Sequence, residues 1–200
     1  MRLDVPYLDQ SKLAPTGCES VTAVMLLHYL GYPVTIDAFL DQYLERGPYE
    51  KRNGEQWGAD PREAFVGDPR SADALGCYAP VLVSALRRAL GGGFHVTDET
   101  GTEIETLCRR YIDRGMPVPL WASIDMKPTV NGPWYRLLPS GKPFMWVSNE
   151  HCLLLTGYDE AHYFFNDPWD GRGAVAYPRD TVWQRHREQG MQAVGVRRRT

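Results

Sequence analysis

The chain has 200 residues, with 22 Lys and Arg against 25 Asp and Glu, so its net charge is −3 at pH 7. A hydrophobic content of 43% is enough for one domain with a substantial core over residues 1–200, and the acidic balance argues against nucleic acid as a partner. No apolar stretch approaches the roughly 20 residues that span a bilayer, and the N-terminus lacks the apolar core of a secretory signal. We therefore expect no membrane span, and a cytoplasmic protein as the chain stands or a secreted one if it is a processed or trimmed form.

The first half of the chain is predicted to be mainly helical. A strand-like start over residues 2–8 leads into a loop that holds Gln10. Helices are predicted over residues 18–30, 35–44 and 79–90. Thr16 and Glu19 have the spacing of a capping box, which marks the start of the first of these helices. Residues 46–79 are rich in Gly, Pro and charge, and we expect an extended, mostly irregular excursion there.

The second half is predicted to alternate further helices with β-strands. Helices are expected over residues 102–114 and 179–189, and strands over residues 117–124, 151–158, 162–167, 173–177 and 191–196. Residues 125–149 are predicted to form a long loop that carries Trp134, Tyr135 and Trp146. Helices early in the chain and antiparallel strands later indicate an α+β fold, in which a helical half packs on an antiparallel sheet half. A cleft between the two halves is then the natural place for a site, and the loop aromatics and Trp169 could line it.

Cys18 is the leading candidate for a nucleophile, because it lies in the first turn of the first predicted helix. The peptide dipoles and free N–H groups at a helix N-terminus favour an anion. A thiol in that position can have a pKa well below the free value of about 8.5, and the thiolate is the reactive form. Glu19 opposes this shift, so Cys18 needs a base before it can act. The structural alternative is a small buried hydrophobic residue.

His151 is the best placed of the five histidines to be that base. It opens a short apolar run that fits a buried strand. In the hairpin that follows, Asp167 falls within one or two positions of the residue opposite His151, close enough to orient the imidazole. A slip of one residue would reverse this arrangement, and each residue alone has an ordinary structural explanation. Jointly they form the nucleophile, base and orienting group of nucleophilic catalysis. Each of the other four histidines is less suitable. His28 lies too far along the helix from Cys18, and His95 follows a run of glycines. His162 lies beside a predicted turn, and His186 lies on a charged helix face.

The remaining cysteines, Cys77, Cys108 and Cys152, are predicted to be packing residues. The sequence contains no CxxC pair and no Cys/His metal spacing, so we expect no zinc site. An even number of cysteines permits two disulfides. A thiol-dependent enzyme in a reducing compartment fits equally well, and the spacing does not decide between the two.

Motifs in a fixed order along nearly the whole chain resemble those of a known family. The main blocks are VPYLDQ at residues 5–10, GCES at 17–20, EHCLLLTGYD at 150–159 and NDP at 166–168. In this order they resemble the peptidase C39-like family of papain-fold cysteine peptidases. The connecting blocks GDP at 67–69, GCYAP at 76–80 and GMPV at 115–118 are similar to that family as well.

The resemblance implies a papain-like cysteine peptidase fold and a role for each candidate residue. Cys18 matches the nucleophile, His151 the general base, Asp167 the residue that orients the imidazole, and Gln10 the glutamine of the oxyanion hole. The implied activity is that of a cysteine peptidase or amide hydrolase on a peptide or protein substrate, through an acyl-enzyme and without a metal or cofactor. Two alternatives stay open: a papain-fold acyltransferase with the same triad, and a peptide-binding module without turnover.

Overall fold

A computed structural model describes residues 1–199 of the chain. The helices are α1 (Cys18–Tyr29), α2 (Ile36–Gln42), α3 (Ala79–Leu90), α4 (Ile104–Arg110) and α5 (Arg179–Glu188). The strands are β1 (Arg46–Gly47), β2 (Tyr49–Arg52), β3 (Glu55–Gly58), β4 (Phe65–Val66), β5 (Phe94–Asp98), β6 (Val118–Ser123), β7 (Asn131–Leu137), β8 (Pro143–Val147), β9 (Glu150–Tyr158), β10 (His162–Asp167), β11 (Gly173–Pro178) and β12 (Val194–Arg198). Within the described part of the chain, no helix is both long enough and apolar enough to cross a membrane.

The main sheet has the strand order β11-β10-β9-β6, and each neighbouring pair is antiparallel. Its centre is apolar because β6 and most of β9 are buried along their length. Helix α1 packs on β9, and the Thr22 hydroxyl donates a hydrogen bond to the backbone oxygen of Cys152 at 3.1 Å. The predicted α+β class, with helices packed on an antiparallel sheet, is confirmed.

Helix α1 is a core helix and not an amphipathic surface helix. Its first ten residues are all buried, including the polar Glu19, Ser20 and Thr22. The predicted capping box is wrong, because the N-cap of α1 is Gly17 and makes no side-chain cap bond. Instead the Thr16 hydroxyl donates to the backbone oxygens of Pro69 and Ser71, and Glu19 turns inward. Tertiary contacts with residues far along the chain have replaced the local cap.

A second four-stranded sheet, in the order β2-β3-β7-β8, corrects the prediction for two segments. Residues 46–79 and 125–149 were expected to be mostly irregular, but both contain strands. Strand β3 of the first segment pairs in parallel with β7 of the second, with Trp57 opposite Arg136. Neither segment has enough apolar surface for a sheet of its own, and only together do they bury a small second core. That core comprises Ala59, Ala64, Val66, Tyr135, Leu137 and Trp146.

All four cysteines are buried and unpaired. Cys108 lies in α4 and packs into the main core, and Cys152 lies in β9. Cys77 is fully buried just before α3. The structure therefore contains no disulfide among the described residues.

Candidate active site

Cys18 is the first residue of α1 and lies against the backbone of β9. Its Sγ accepts a hydrogen bond from the Cys152 backbone N–H at 3.4 Å, so the sulfur touches the peptide unit that directly follows His151. The thiol in turn donates to Oε2 of Glu19 at 3.4 Å. Only 4% of Cys18 is exposed. The packing of α1 on β9 thus brings the sulfur next to the strand that carries the candidate base.

His151 and Asp167 form a buried pair across β9 and β10. Nε2 of His151 and Oδ1 of Asp167 are 2.7 Å apart, with side-chain exposures of 1% and 0%. Asp167 also accepts the backbone N–H of Trp169 at 3.0 Å and the hydroxyl of Tyr177 at 3.1 Å. Burial by itself would raise the pKa of Asp167, but its hydrogen bond and charge interaction with His151 and these two further donors lower it below the usual value. The carboxylate is therefore ionised and fixed from three sides.

Gln10 is held at the start of a short 3-10 turn, Gln10–Lys12, that Asp9 caps by accepting the Ser11 N–H. The Gln10 backbone N–H donates to the oxygen of Pro168, which ties this turn to the end of β10. The side-chain Nε2 donates to the oxygen of Pro15 at 2.9 Å. Because an amide nitrogen has two hydrogens, one donor is left for a ligand.

One cavity of about 400 Å³ brings Gln10, Cys18 and His151 to a common space. It lies between the N-terminal turn and helix on one side and the sheet on the other, as the sequence predicts. Trp146 and Trp169 also line this cavity. Trp134 does not, since 65% of it is exposed at another surface, and Tyr135 packs in the second core.

A larger cavity of about 760 Å³ lies elsewhere, beside Arg114 and Arg197. It contains none of the residues that the sequence analysis selects. Its lining also lacks a cysteine or a carboxylate that could act as a nucleophile. Chemistry therefore favours the smaller cavity as the candidate active site.

The thiol of Cys18 does not have the low pKa that its helix position predicts. Burial raises the pKa of Cys18 well above 9.0, and the neighbouring Glu19 and Glu150 raise it further. The prediction failed because it counted the helix dipole but not the removal of the sulfur from water. The resting thiol is thus protonated, and a thiolate must be formed by transfer of that proton to a base.

Two buried glutamates in the site were not selected from the sequence. Oε1 of Glu19 accepts the Cys77 backbone N–H at 2.6 Å, and burial raises the pKa of Glu19 to about 7. Burial and the nearby Glu19 also raise the pKa of Glu150 well above its usual value. Together with Cys18 these carboxylates could hold a metal ion, since one ligand atom from each residue lies within 4.8 Å of the others. An acidic residue inside the apolar run of α1 was the signal that could have identified Glu19.

Comparison with known proteins agrees with this architecture. The model of the peptidase C39-like family matches residues 2–194. The chain is 29% identical to the uncharacterised protein YvpB of Bacillus subtilis (strain 168) over 183 residues, which are 91% of this chain and 69% of that protein. It has the fold of a crystal structure described as a C39-like peptidase from Bacillus anthracis, with a TM-score of 0.84 and 23% identity over 100% of this chain and 99% of that one. Because the family model spans nearly the whole chain, this protein belongs to the peptidase C39-like family.

Proposed function

We propose that this protein is a cysteine peptidase or amide hydrolase that acts through Cys18, His151 and Asp167. One observation carries the proposal: a buried, carboxylate-bound imidazole and a cysteine sulfur line the same cavity. A histidine that only supports the fold has no need of a buried anion at 2.7 Å beside a thiol. Family membership supports the same reaction class.

The first step is the transfer of the thiol proton from Cys18 to His151. Nε2 of His151 donates its hydrogen to Asp167, so Nδ1 is the nitrogen left to accept that proton. Asp167 stabilises the resulting imidazolium because it stays ionised. Because burial raises the pKa of Cys18, the thiolate forms by transfer of the proton to this base as an electrophile enters the cavity.

The thiolate then forms a bond from sulfur to the carbonyl carbon of the substrate amide. The carbonyl oxygen gains negative charge, and the free Nε2–H of Gln10 and the backbone N–H of Cys18 are the donors that stabilise it. His151 returns its proton to the leaving nitrogen as the C–N bond breaks, which leaves a thioester. Water, deprotonated by His151, attacks that thioester, and the carboxylic acid product leaves as Cys18 regains its proton.

Substitution of Cys18 tests this function, with Cys108→Ala as the matched control in the main core. We expect Cys18→Ala to abolish cleavage of a fluorogenic peptide library that the unchanged chain and Cys108→Ala both cleave. After reaction with an activated acyl substrate, mass spectrometry of the chain should locate one acyl group on Cys18. Turnover that survives Cys18→Ala would contradict the proposal.

The same experiment separates the two alternatives. In an acyltransferase with the same triad, an added amine takes the acyl group in place of water, and the product is a new amide. In a peptide-binding module, a bound peptide is recovered intact and no acyl group forms on Cys18. Hydrolysed product together with a Cys18 adduct favours the peptidase.

A further inference from the structure

Three metal-ligand side chains converge beside the candidate nucleophile. Cys18, Glu19 and Glu150 each present one ligand atom within 4.8 Å of the other two, and all three residues are buried. Sγ of Cys18 and Oε2 of Glu19 are 3.4 Å apart. The set joins the start of α1 to the start of β9, so it exists only in the folded chain.

This cluster has no positive charge among the described residues, and one of its carboxylate oxygens has no hydrogen-bond donor. Oε1 of Glu150 is buried without a hydrogen-bond partner among residues 1–199, although only 7% of the residue is exposed and its side chain lines the cavity. Gln10, which lines the same cavity, likewise has a buried Oε1 without a partner among these residues. No ion pair among the described residues includes Glu19 or Glu150. Buried acceptors without donors require an explanation, and a bound cation provides one.

The donor set selects the kind of cation. Calcium and magnesium take oxygen ligands, and one of the three ligands here is a sulfur. Zinc accepts thiolate and carboxylate together, and zinc sites with three protein ligands leave a fourth position open. With Zn–S of about 2.3 Å and Zn–O of about 2.0–2.2 Å, a sulfur and an oxygen in tetrahedral positions lie about 3.5–3.7 Å apart. The Cys18–Glu19 distance of 3.4 Å is slightly shorter, so a small outward shift of either side chain would admit the ion.

We propose that Cys18, Glu19 and Glu150 form a Zn²⁺ site whose occupation blocks the nucleophile. Binding forms a Zn–S bond, and the thiol proton leaves to solvent together with any proton that the two carboxyl groups share. The metal then occupies the electron pair that would attack the substrate. The inhibition rests on the proposed peptidase function, whereas the binding itself does not.

The test uses the purified 200-residue chain and two metal probes. We expect calorimetric titration with Zn²⁺ to show one ion bound per chain. With Co²⁺ as the probe, we expect a thiolate-to-metal charge-transfer band in the near ultraviolet that Cys18→Ser removes. Because loss of even a hydrogen-bond partner of a ligand costs about 10- to 100-fold in metal affinity, Glu150→Gln should weaken Zn²⁺ binding by at least about 100-fold. Glu63→Gln, at an exposed glutamate, is the matched control and should bind as the unchanged chain does.

Absence of a stoichiometric Zn²⁺ signal, or a Co²⁺ spectrum without a thiolate band, would overturn the proposal. So would Zn²⁺ binding that Glu150→Gln and Cys18→Ser leave unchanged, since the ion would then be held elsewhere. If Glu150→Gln fails to fold, the Cys18→Ser result decides alone. Zn²⁺ binding by a chain that never cleaves peptides would support the metal site and contradict the peptidase function. Peptide cleavage that Zn²⁺ does not inhibit would support the peptidase function and contradict the proposed block of the nucleophile.

Discussion

Replacement of Asp167 tests how the buried carboxylate contributes to catalysis. In Asp167→Ala, His151 loses a charge-assisted hydrogen bond of 2.7 Å that is screened from water. Such bonds are worth about 1.5–3 kcal/mol, and at 1.36 kcal/mol per tenfold change in rate this predicts a drop in kcat/KM of about 10- to 150-fold. Asp167→Asn loses the charge and can turn its amide N–H₂ toward Nε2, which fixes the wrong tautomer of His151, so it should lose at least as much activity as Asp167→Ala. The assay is kcat/KM on the best library peptide, with thermal unfolding to confirm that each variant is folded.

A matched control for this test lies at the other end of the same two strands. Asp159 and His162 form an exposed pair in which Oδ1 and Nδ1 are 3.5 Å apart. Asp159→Asn removes a carboxylate beside a histidine without touching the cavity, and it should leave kcat/KM unchanged. The reasoning is refuted if folded Asp167→Ala retains full activity, or if Asp159→Asn lowers activity as much as Asp167→Ala does.

Three further predictions concern the oxyanion donor, a buried histidine and a helix cap. Gln10→Ala should lower kcat by about 10²- to 10³-fold with little effect on KM, because the donor acts on the transition state; an unchanged kcat would remove Gln10 from the mechanism. Burial lowers the pKa of His186 from 6.5 to about 4, so its neutral form stabilises the fold above pH 6.5, and about 3 kcal/mol of that stability should be lost as the pH falls to 4. Denaturant titrations at several pH values should show that the free energy of unfolding depends less on pH in His186→Asn than in the unchanged chain. An equal dependence on pH in both proteins would contradict the role of His186. Thr35 caps α2 by accepting the Ala38 N–H at 3.1 Å; Thr35→Ala should lower the free energy of unfolding by about 1 kcal/mol and leave activity unchanged, whereas an unchanged midpoint would show that the cap adds nothing.

Cys18 and His151 could be selected from the sequence because each stands at the start of an apolar run, whereas Gln10 was selected only through the family resemblance. Cys18 precedes an apolar run that forms a buried helix, and His151 opens an apolar run that forms a buried strand. The short connection between β9 and β10 then brings Asp167 back to His151. Elements close in sequence, or strongly apolar, can be predicted without the rest of the fold.

The second sheet and the acidic cluster could not be predicted in this way. Strands β3 and β7 pair across a long stretch of chain, and their weak apolar patterns stabilise a sheet only when both are present. Glu150 meets Glu19 for the same reason, since α1 and β9 are distant in sequence. The pKa of Cys18 is raised by burial and by the nearby Glu19 and Glu150. A prediction based on the helix N-terminus alone could not include these effects.

The central claim is that Cys18 and His151 work as a nucleophile and its base in one accessible cavity. Timed alkylation of the folded chain with iodoacetamide, followed by peptide mass spectrometry, measures this directly at all four cysteines. We predict that Cys18 is labelled well before the other three thiols and that His151→Ala slows labelling at Cys18 alone. Slow, uniform labelling of Cys18, Cys77, Cys108 and Cys152, unchanged by His151→Ala, would contradict the claim.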